Sequence, residues 1–364
     1  MCRQARLDTD RKEVLHSANA QWFLNMDNLT HTLTGLAISQ AGFSRKTRYA
    51  TLAIVIGANL PDIDMISRFG GNVDYLEYHR GITHSLIGVT ALGALLAATV
   101  YFLGRKVRPR KAGPALNGRW LLLACWVATG SHLLLDFTNS YGVRPFLPFN
   151  SHWYAWGIEP ILDPLLWLIL IAGLGLPFLF RLISEEVGAS KTGFQTGAIF
   201  SLCAIVALWG LRDFSHRRAL NMLNSVSYHQ ESPRRLGAFP TFTNPFKWNG
   251  VVETSRAFYV LPVNAGGGSL NPQNARIFHK AEPSPALRAA LATRTARVFM
   301  DFARFPWAEV VPGESGVTVT IRDLRFQPAN TRRGGFAIRI ELDQELRVQS
   351  QAFSFSGRFR NHQP

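Results

Sequence analysis

Seven imidazole and carboxylate side chains, His31, Asp62, Asp64, His79, His84, His132 and Asp136, stand beside the ends of apolar stretches in this chain. They fall in four short motifs: Asp27-Asn28-Leu29-Thr30-His31, Asn59-Leu60-Pro61-Asp62-Ile63-Asp64, His79-Arg80-Gly81-Ile82-Thr83-His84-Ser85 and His132-Leu133-Leu134-Leu135-Asp136. An ionisable group at membrane depth costs about 2.5–3.5 kcal/mol on insertion scales. Its repeated placement at helix ends implies a shared polar site, and imidazole with carboxylate is a donor set for divalent metal.

His132 and Asp136 are four apart in an apolar segment, so a helix points both from one face toward a common ion. Alone, that spacing fits a hydrogen-bonded interior couple equally well. His79 and His84 are five apart, too far round one continuous helix to converge. A break at Arg80-Gly81 resolves this, with Thr83 then expected to cap a helix over 84–104. Arg80 between two imidazoles makes a place for an anion held by metal and guanidinium together. Pro61 is expected to stop the preceding helix and leave Asp62 and Asp64 in a turn, where they reach different ions or one ion and its ligand. Solvated acids at a helix end are the plainer alternative, and His31 has the same status. The seven groups exceed the three or four protein ligands of one zinc ion. Two or three ions sharing bridging carboxylates follow, with zinc the best match to the donors and manganese also compatible.

The elements that must position these groups are membrane helices. Residues 84–104, 119–138, 163–182 and 193–211 are largely apolar and close to the roughly 20 residues a crossing needs. Residues 29–43 and 49–60 are shorter, contain Gly35, Gly42 and Gly57, and read as a tight hairpin that either spans or re-enters. The loop 104–120 carries Arg105, Lys106, Arg108, Arg110, Lys111 and Arg119 without an acid, which marks it cytoplasmic. Arg45, Lys46 and Arg48 mark a second cytoplasmic turn. Threading outward from these turns sends all four motifs to the extracytoplasmic face. Residues 1–25 contain no apolar run of signal-peptide length and read either as a flexible extension or as the result of a start placed too early, the sequence beginning again at Met26.

A mean hydropathy of +0.04 averages two unlike parts. Before residue 212 there are 18 Lys+Arg against 13 Asp+Glu, and from Arg212 onward 21 against 11, so the tail carries +10 of the formal +15. The arginines are scattered among apolar residues with no run of five, which fits an anionic lipid surface and argues against nucleic acid. Cys2, Cys125 and Cys203 make no CxxC pair. No motif sets an oligomeric state. The expected organisation is an extension at 1–25, a helical transmembrane domain over 26–211 and a basic α+β extramembrane domain over 212–364. In the tail, Val317, Val319 and Ile321, and then Phe336, Ile338, Ile340 and Leu342, alternate with polar or small residues as half-buried strands do. Residues 286–303 read as one helix, capped by Ser284 with Pro285 at its first position. Trp153, Tyr154 and Trp156 read as an interfacial aromatic belt, and His152 beside them as an ordinary polar residue.

Taken together the four motifs resemble those of the YdjM-type family of inner-membrane, predicted metal-dependent hydrolases. The likeness covers about residues 26–180, and His79-Arg80-Gly81-x-Thr83-His84-Ser85 is its most specific piece. That family is distantly similar to zinc-dependent phospholipase C and the P1-type nucleases, whose His-x-x-x-Glu pair has Asp136 in the glutamate position here. The resemblance implies hydrolysis of a phosphoester or lipid-linked ester by metal-activated water. His31, Asp62, His79, His84, His132 and Asp136 would be ligands, Arg80 would share the substrate's charge, and Asp64 would orient the water. Asp62 and Asp64 are interchangeable at this level. The alternative is a non-catalytic membrane module with a structural metal, whose basic tail binds a partner or anionic lipid.

Overall fold

The computed structural model describes residues 28–107, 113–187, 194–327, 329, 335–357 and 359, with no side-chain description over 178–194. The expected extension at 1–25, and the start at Met26, lie outside the described residues. In chain order the helices are α1 (28–41), α2 (Ala50–Gly57), α3 (Asn72–Tyr78), α4 (Leu86–Lys106), α5 (Gly118–Thr138), α6 (Pro164–Val187) and α7 (Phe194–Asn224). Strands β1 (Arg235–Pro240), β2 (Lys247–Glu253), β3 (Ala257–Asn264) and β4 (Arg276–His279) follow, then α8 (Pro285–Leu291) and α9 (Arg294–Phe302). The last four strands are β5 (Pro306–Gly313), β6 (Gly316–Asp323), β7 (Ala337–Asp343) and β8 (Val348–Ser354). The described residues divide into two compact units, one of those within 28–63, 82–154 and 161–208, the other of those within 64–81, 155–160 and 209–359.

The first unit is helical. Among the described residues of the chain, four stretches are long and apolar enough to cross a membrane: Ala50–Gly70, Leu86–Lys106, Gly118–Thr138 and Gln195–Asn224. Helix α6 runs 24 residues, with its described apolar part over Pro164–Pro177. The first of the four was expected to end at residue 60. Instead a 3₁₀ helix, Leu60–Gly70, takes over from α2. Pro61 does not end this stretch, because the second residue of a new helix has no intrahelical N–H bond to lose.

Small residues bring α2, α4 and α5 close. A Cβ on Gly57 would lie 3.0 Å from Ala128 Cβ, and one on Gly93 would lie 2.7 Å from Trp126 Cδ1. Ala53, Ile54, Leu121, Ala124, Cys125 and Ala128 are buried between these helices, the packing expected where close approach replaces hydrophobic drive. At the other end from the histidines, Arg48 donates to the carbonyls of Gly104 and Val107, satisfying the open C-terminus of α4. Thr47 Oγ1 pairs with the backbone of Asn117, whose side chain caps α5. The two basic turns therefore meet at one end of the bundle. Asp136 lies 19 residues further along, about 28 Å away at the rise of an α-helix.

The second unit holds two antiparallel four-stranded sheets, ordered β1-β2-β3-β4 and β5-β6-β7-β8. Trp248, Val252, Tyr259 and Leu261 form one core with Ala219 and Leu223 of α7. The expected strands around 317–321 and 336–342 are β6 and β7, paired with Val319 opposite Ile340 and Ile321 opposite Ile338. The expected single helix over 286–303 is two. Ser284 caps α8 with Pro285 first, as read from the sequence, but Thr293 starts α9 by accepting from Ala296 N–H at 3.1 Å. Segment 64–81 is held by the tail domain. Arg294 of α9 pairs with Asp74 at 2.8 Å and with Glu77, and Tyr75 meets Phe355 edge to face. The aromatic-belt reading fails for Trp153, which is buried beneath Arg144 and against Tyr141.

Candidate metal centre

His31 lies in the first turn of α1, Asp62 near the start of the 3₁₀ helix, His84 at the end of a second 3₁₀ turn (Ile82–His84), and His132 and Asp136 on α5. Each position follows from local sequence. Ser85, rather than the expected Thr83, caps α4: its Oγ accepts from Gly88 N–H at 2.9 Å and donates to Ile82 O at 2.7 Å. That closes the Ile82–His84 turn against the helix start, an approach only glycine allows at 88, where a Cβ would fall 1.9 Å from Ile82 O. Thr83 turns to His84 instead, with Oγ1 3.0 Å from Nδ1.

These five side chains, drawn from four elements of the first unit, converge. His84 Nε2 is 3.0 Å from His132 Nε2. It is 3.2 Å from Asp136 Oδ2 and 3.5 Å from Asp62 Oδ1. His132 Nε2 is 3.5 Å from both of those oxygens. A tetrahedral ion with bonds of about 2.0–2.1 Å holds its ligand atoms about 3.3–3.4 Å apart. Five separations among these four atoms fall between 3.0 and 3.5 Å, bracketing that value. Most are longer than the 2.7–3.2 Å of a good N–H···O bond, so hydrogen bonding alone does not set them.

The outer nitrogens are fixed as metal-bound histidines require. His132 Nδ1 lies 2.7 Å from Ala58 O, and a carbonyl only accepts, so Nδ1 carries a hydrogen and Nε2 is the ring nitrogen turned to the cluster. Sequence reasoning missed this partner, because a backbone carbonyl leaves no mark on the residue that bears it. His31 stacks on His132 with centroids 3.8 Å apart and brings Nε2 to 3.5 Å from Asp136 Oδ1. Asp136 thus faces His31 with one oxygen and the His84–His132 pair with the other. His31, Asp62 and His132 form a second group of donors within 4.8 Å, beside His84, His132 and Asp136. His31, His84, His132 and Asp136 are at most 1% exposed.

The outer positions of the site are anchored by polar bonds. Thr30 Oγ1 accepts from Trp167 Nε1 at 2.7 Å, tying α1 to α6 beside His31. Asn59 Nδ2 donates to Thr32 Oγ1 at 3.0 Å and to Val55 O at 2.9 Å, fixing the chain just before Asp62. Asn139, which the sequence left as a cap or a lining residue, accepts from Tyr141 N–H at 2.9 Å beyond the end of α5. His152 is exposed, as expected of an ordinary polar residue.

The remaining three expected residues belong to the second unit. His79 Nδ1 lies 2.9 Å from Asp64 Oδ1, and Asp64 Oδ2 accepts from Arg80 N–H at 3.0 Å. His79 also stacks on Tyr75, with centroids 4.5 Å apart. The break expected at Arg80-Gly81 falls on Arg80, which takes a left-handed φ of 54°. Asp64 holds an imidazole and a backbone turn, a geometry that orients His79. The water-orienting role read from the sequence draws no support from it.

No solved structure matches the chain. A protein of Bacillus subtilis (strain 168), described as the uncharacterized protein YfhP, is 27% identical over 162 residues, which is 42% of this chain and 46% of that protein. The chain therefore matches about half the length of this curated relative. The family model described as YdjM inner membrane protein matches residues 26–219, a span that takes in all five converging donors, the Asp64–His79 pair and helices α1 to α6. With more than half of its length so matched, the chain belongs to the YdjM inner membrane protein family.

Proposed function

We propose that this protein is a membrane-bound, metal-dependent hydrolase of a phosphoester or lipid-linked ester, with its site on the extracytoplasmic face. The observation that carries the reading is the buried convergence of His31, Asp62, His84, His132 and Asp136 at ligand-to-ligand spacing. Sealed carboxylates and imidazoles in an apolar bundle are costly unless a cation gathers them. Zinc suits this nitrogen and oxygen set, and Asp136, facing two ways, suits a bridging ligand between two ions. A divalent ion there would lower the pKa of a coordinated water toward neutrality and polarise the ester.

The protein's own residues do the rest. His84 and His132 direct Nε2 inward because Thr83 and Ala58 O engage their Nδ1 atoms. Within the second unit, Asp64 sets the ring of His79. The extracytoplasmic placement rests on the basic turns at residues 45–48 and 104–119, which meet at the end of the bundle away from the histidines.

Purified full-length protein tests this through its divalent-metal content and its turnover on a panel of phosphodiesters and phosphomonoesters. The expected result is stoichiometric metal and turnover, both lost in His84→Ala. Stoichiometric metal without turnover on any ester would favour a structural ion in a non-catalytic membrane module.

A further inference from the structure

The 3₁₀ helix Leu60–Gly70 is inside out for a water-exposed element. Ile63, Ile66 and Phe69 are 57, 68 and 94% exposed, whereas Asp62, Asp64, Ser67 and Arg68 are each partly covered. A 3₁₀ helix repeats every three residues, so side chains at i, i+3 and i+6 stand in one row. At about 2 Å per residue the row is about 12 Å long. An exposed row of isoleucine, isoleucine and phenylalanine marks an interaction surface.

Leu52 and Ile56 on α2, the helix running into this one, are 54 and 40% exposed, and Ala50–Gly70 as a whole has the length and hydropathy of a membrane span. Among the charged residues of the helix none shares the row. The polar side chains lie beside it, as at the boundary between acyl chains and headgroups.

We infer that Leu60–Gly70 is seated in the acyl–headgroup boundary of the bilayer through Ile63, Ile66 and Phe69, which sets Asp62, the residue just before the row, at that depth. This deepens the metallohydrolase reading and rests on it for one consequence: the ester that reaches the site is carried by an amphiphile arriving from the membrane plane.

The seating is testable without a substrate. The unchanged full-length protein is reconstituted in vesicles of phosphatidylethanolamine and phosphatidylglycerol. It is then labelled with a carbene precursor dissolved in the bilayer or, separately, in the buffer, and the adducts are mapped by mass spectrometry. Residues 63–69 should be labelled several-fold more from the bilayer than from the buffer, matching Leu95 on α4, whereas Glu314 should show the reverse. Predominant labelling from the buffer overturns the inference, and so does labelling from neither phase, which would mean that a protein surface or a second copy covers the row. Nitroxide placed by Phe69→Cys gives an independent readout, with oxygen accessibility exceeding that of a water-soluble nickel chelate. Metal content of the same preparation separates the two ideas. Lipid labelling without bound metal leaves the seating intact and removes the hydrolase, and bound metal without lipid labelling does the reverse.

Discussion

At the scale of single residues, the orientation of the two central imidazoles is the part of the account most exposed to test. Thr83 Oγ1 sits 3.0 Å from His84 Nδ1, the ring nitrogen turned away from His132. Removing such an outer partner typically costs about 10–100-fold in metal affinity. Thr83→Val should weaken zinc binding by about tenfold in competition titration with a chelator, and unchanged affinity would refute the assigned role. His132→Ala should do more, removing a donor and leaving Ala58 O without its partner, at a cost of about 1–3 kcal/mol in stability. The donors were legible in the chain as residue types: five of the seven singled out gather in one cluster, and the other two pair with each other. Which belonged together was not: the break at Arg80-Gly81 could be read from the chain, but the pairing of His79 with Asp64, which also accepts from Arg80 N–H, could not, because spacing does not report partners 15 and 16 residues apart.

At the scale of elements, close approach decides what the sequence could only outline. Gly88 admits the Ile82–His84 turn to the start of α4, and Gly88→Ala would drive a Cβ into Ile82 O. Loss of metal with α-helical circular dichroism retained is the expected outcome. A variant that binds metal normally would show that the turn does not position His84. In the tail, Glu253 bonds Lys280 at 2.7 Å and pairs with Arg235 at 2.7 Å. Burial pushes its pKa up, but the Lys280 bond and the Arg235 charge outweigh this and hold it below the ordinary 4.5. A carboxyl whose folded value is depressed stabilises the fold above its unfolded value and loses that contribution as pH falls through the folded one. Unfolding of the tail sheets should therefore become easier below about pH 4.5, and Glu253→Gln should flatten that dependence. The alternating strands β6 and β7 were readable because side-chain period reports burial directly. The split between α8 and α9 was not, because Thr293 reads as a helix residue until its hydroxyl is seen capping.

At the scale of the whole molecule, this is a membrane protein whose polar centre and basic turns occupy opposite ends of one helical bundle. A reporter fused after Lys106 should report the cytoplasm, with green fluorescence and no alkaline phosphatase activity. Phosphatase activity there would reverse the proposed orientation. The tail domain brings a buried pair of its own, Arg325 to Asp323 at 2.7 Å, with Asp323 also accepting from the backbone of Arg304, Phe305 and Arg325. Asp323→Ala should cost about 3–5 kcal/mol, because it strands a buried guanidinium. Charge and hydropathy made the division into membrane and basic parts visible in the sequence. They gave no sign that residues 64–81, with Asp64 and His79, pack with the tail, since the contacts of Arg294 with Asp74 and Glu77 join residues more than 200 positions apart.

The most direct test of the central claim is element-resolved metal analysis of the purified full-length protein beside His84→Ala and His132→Ala. Convergence of the imidazoles and carboxylates on a cation predicts at least one tightly held divalent ion per chain, lost in both variants while helical content is unchanged. A metal-free protein after purification without chelators, or variants that keep the full complement, would contradict it.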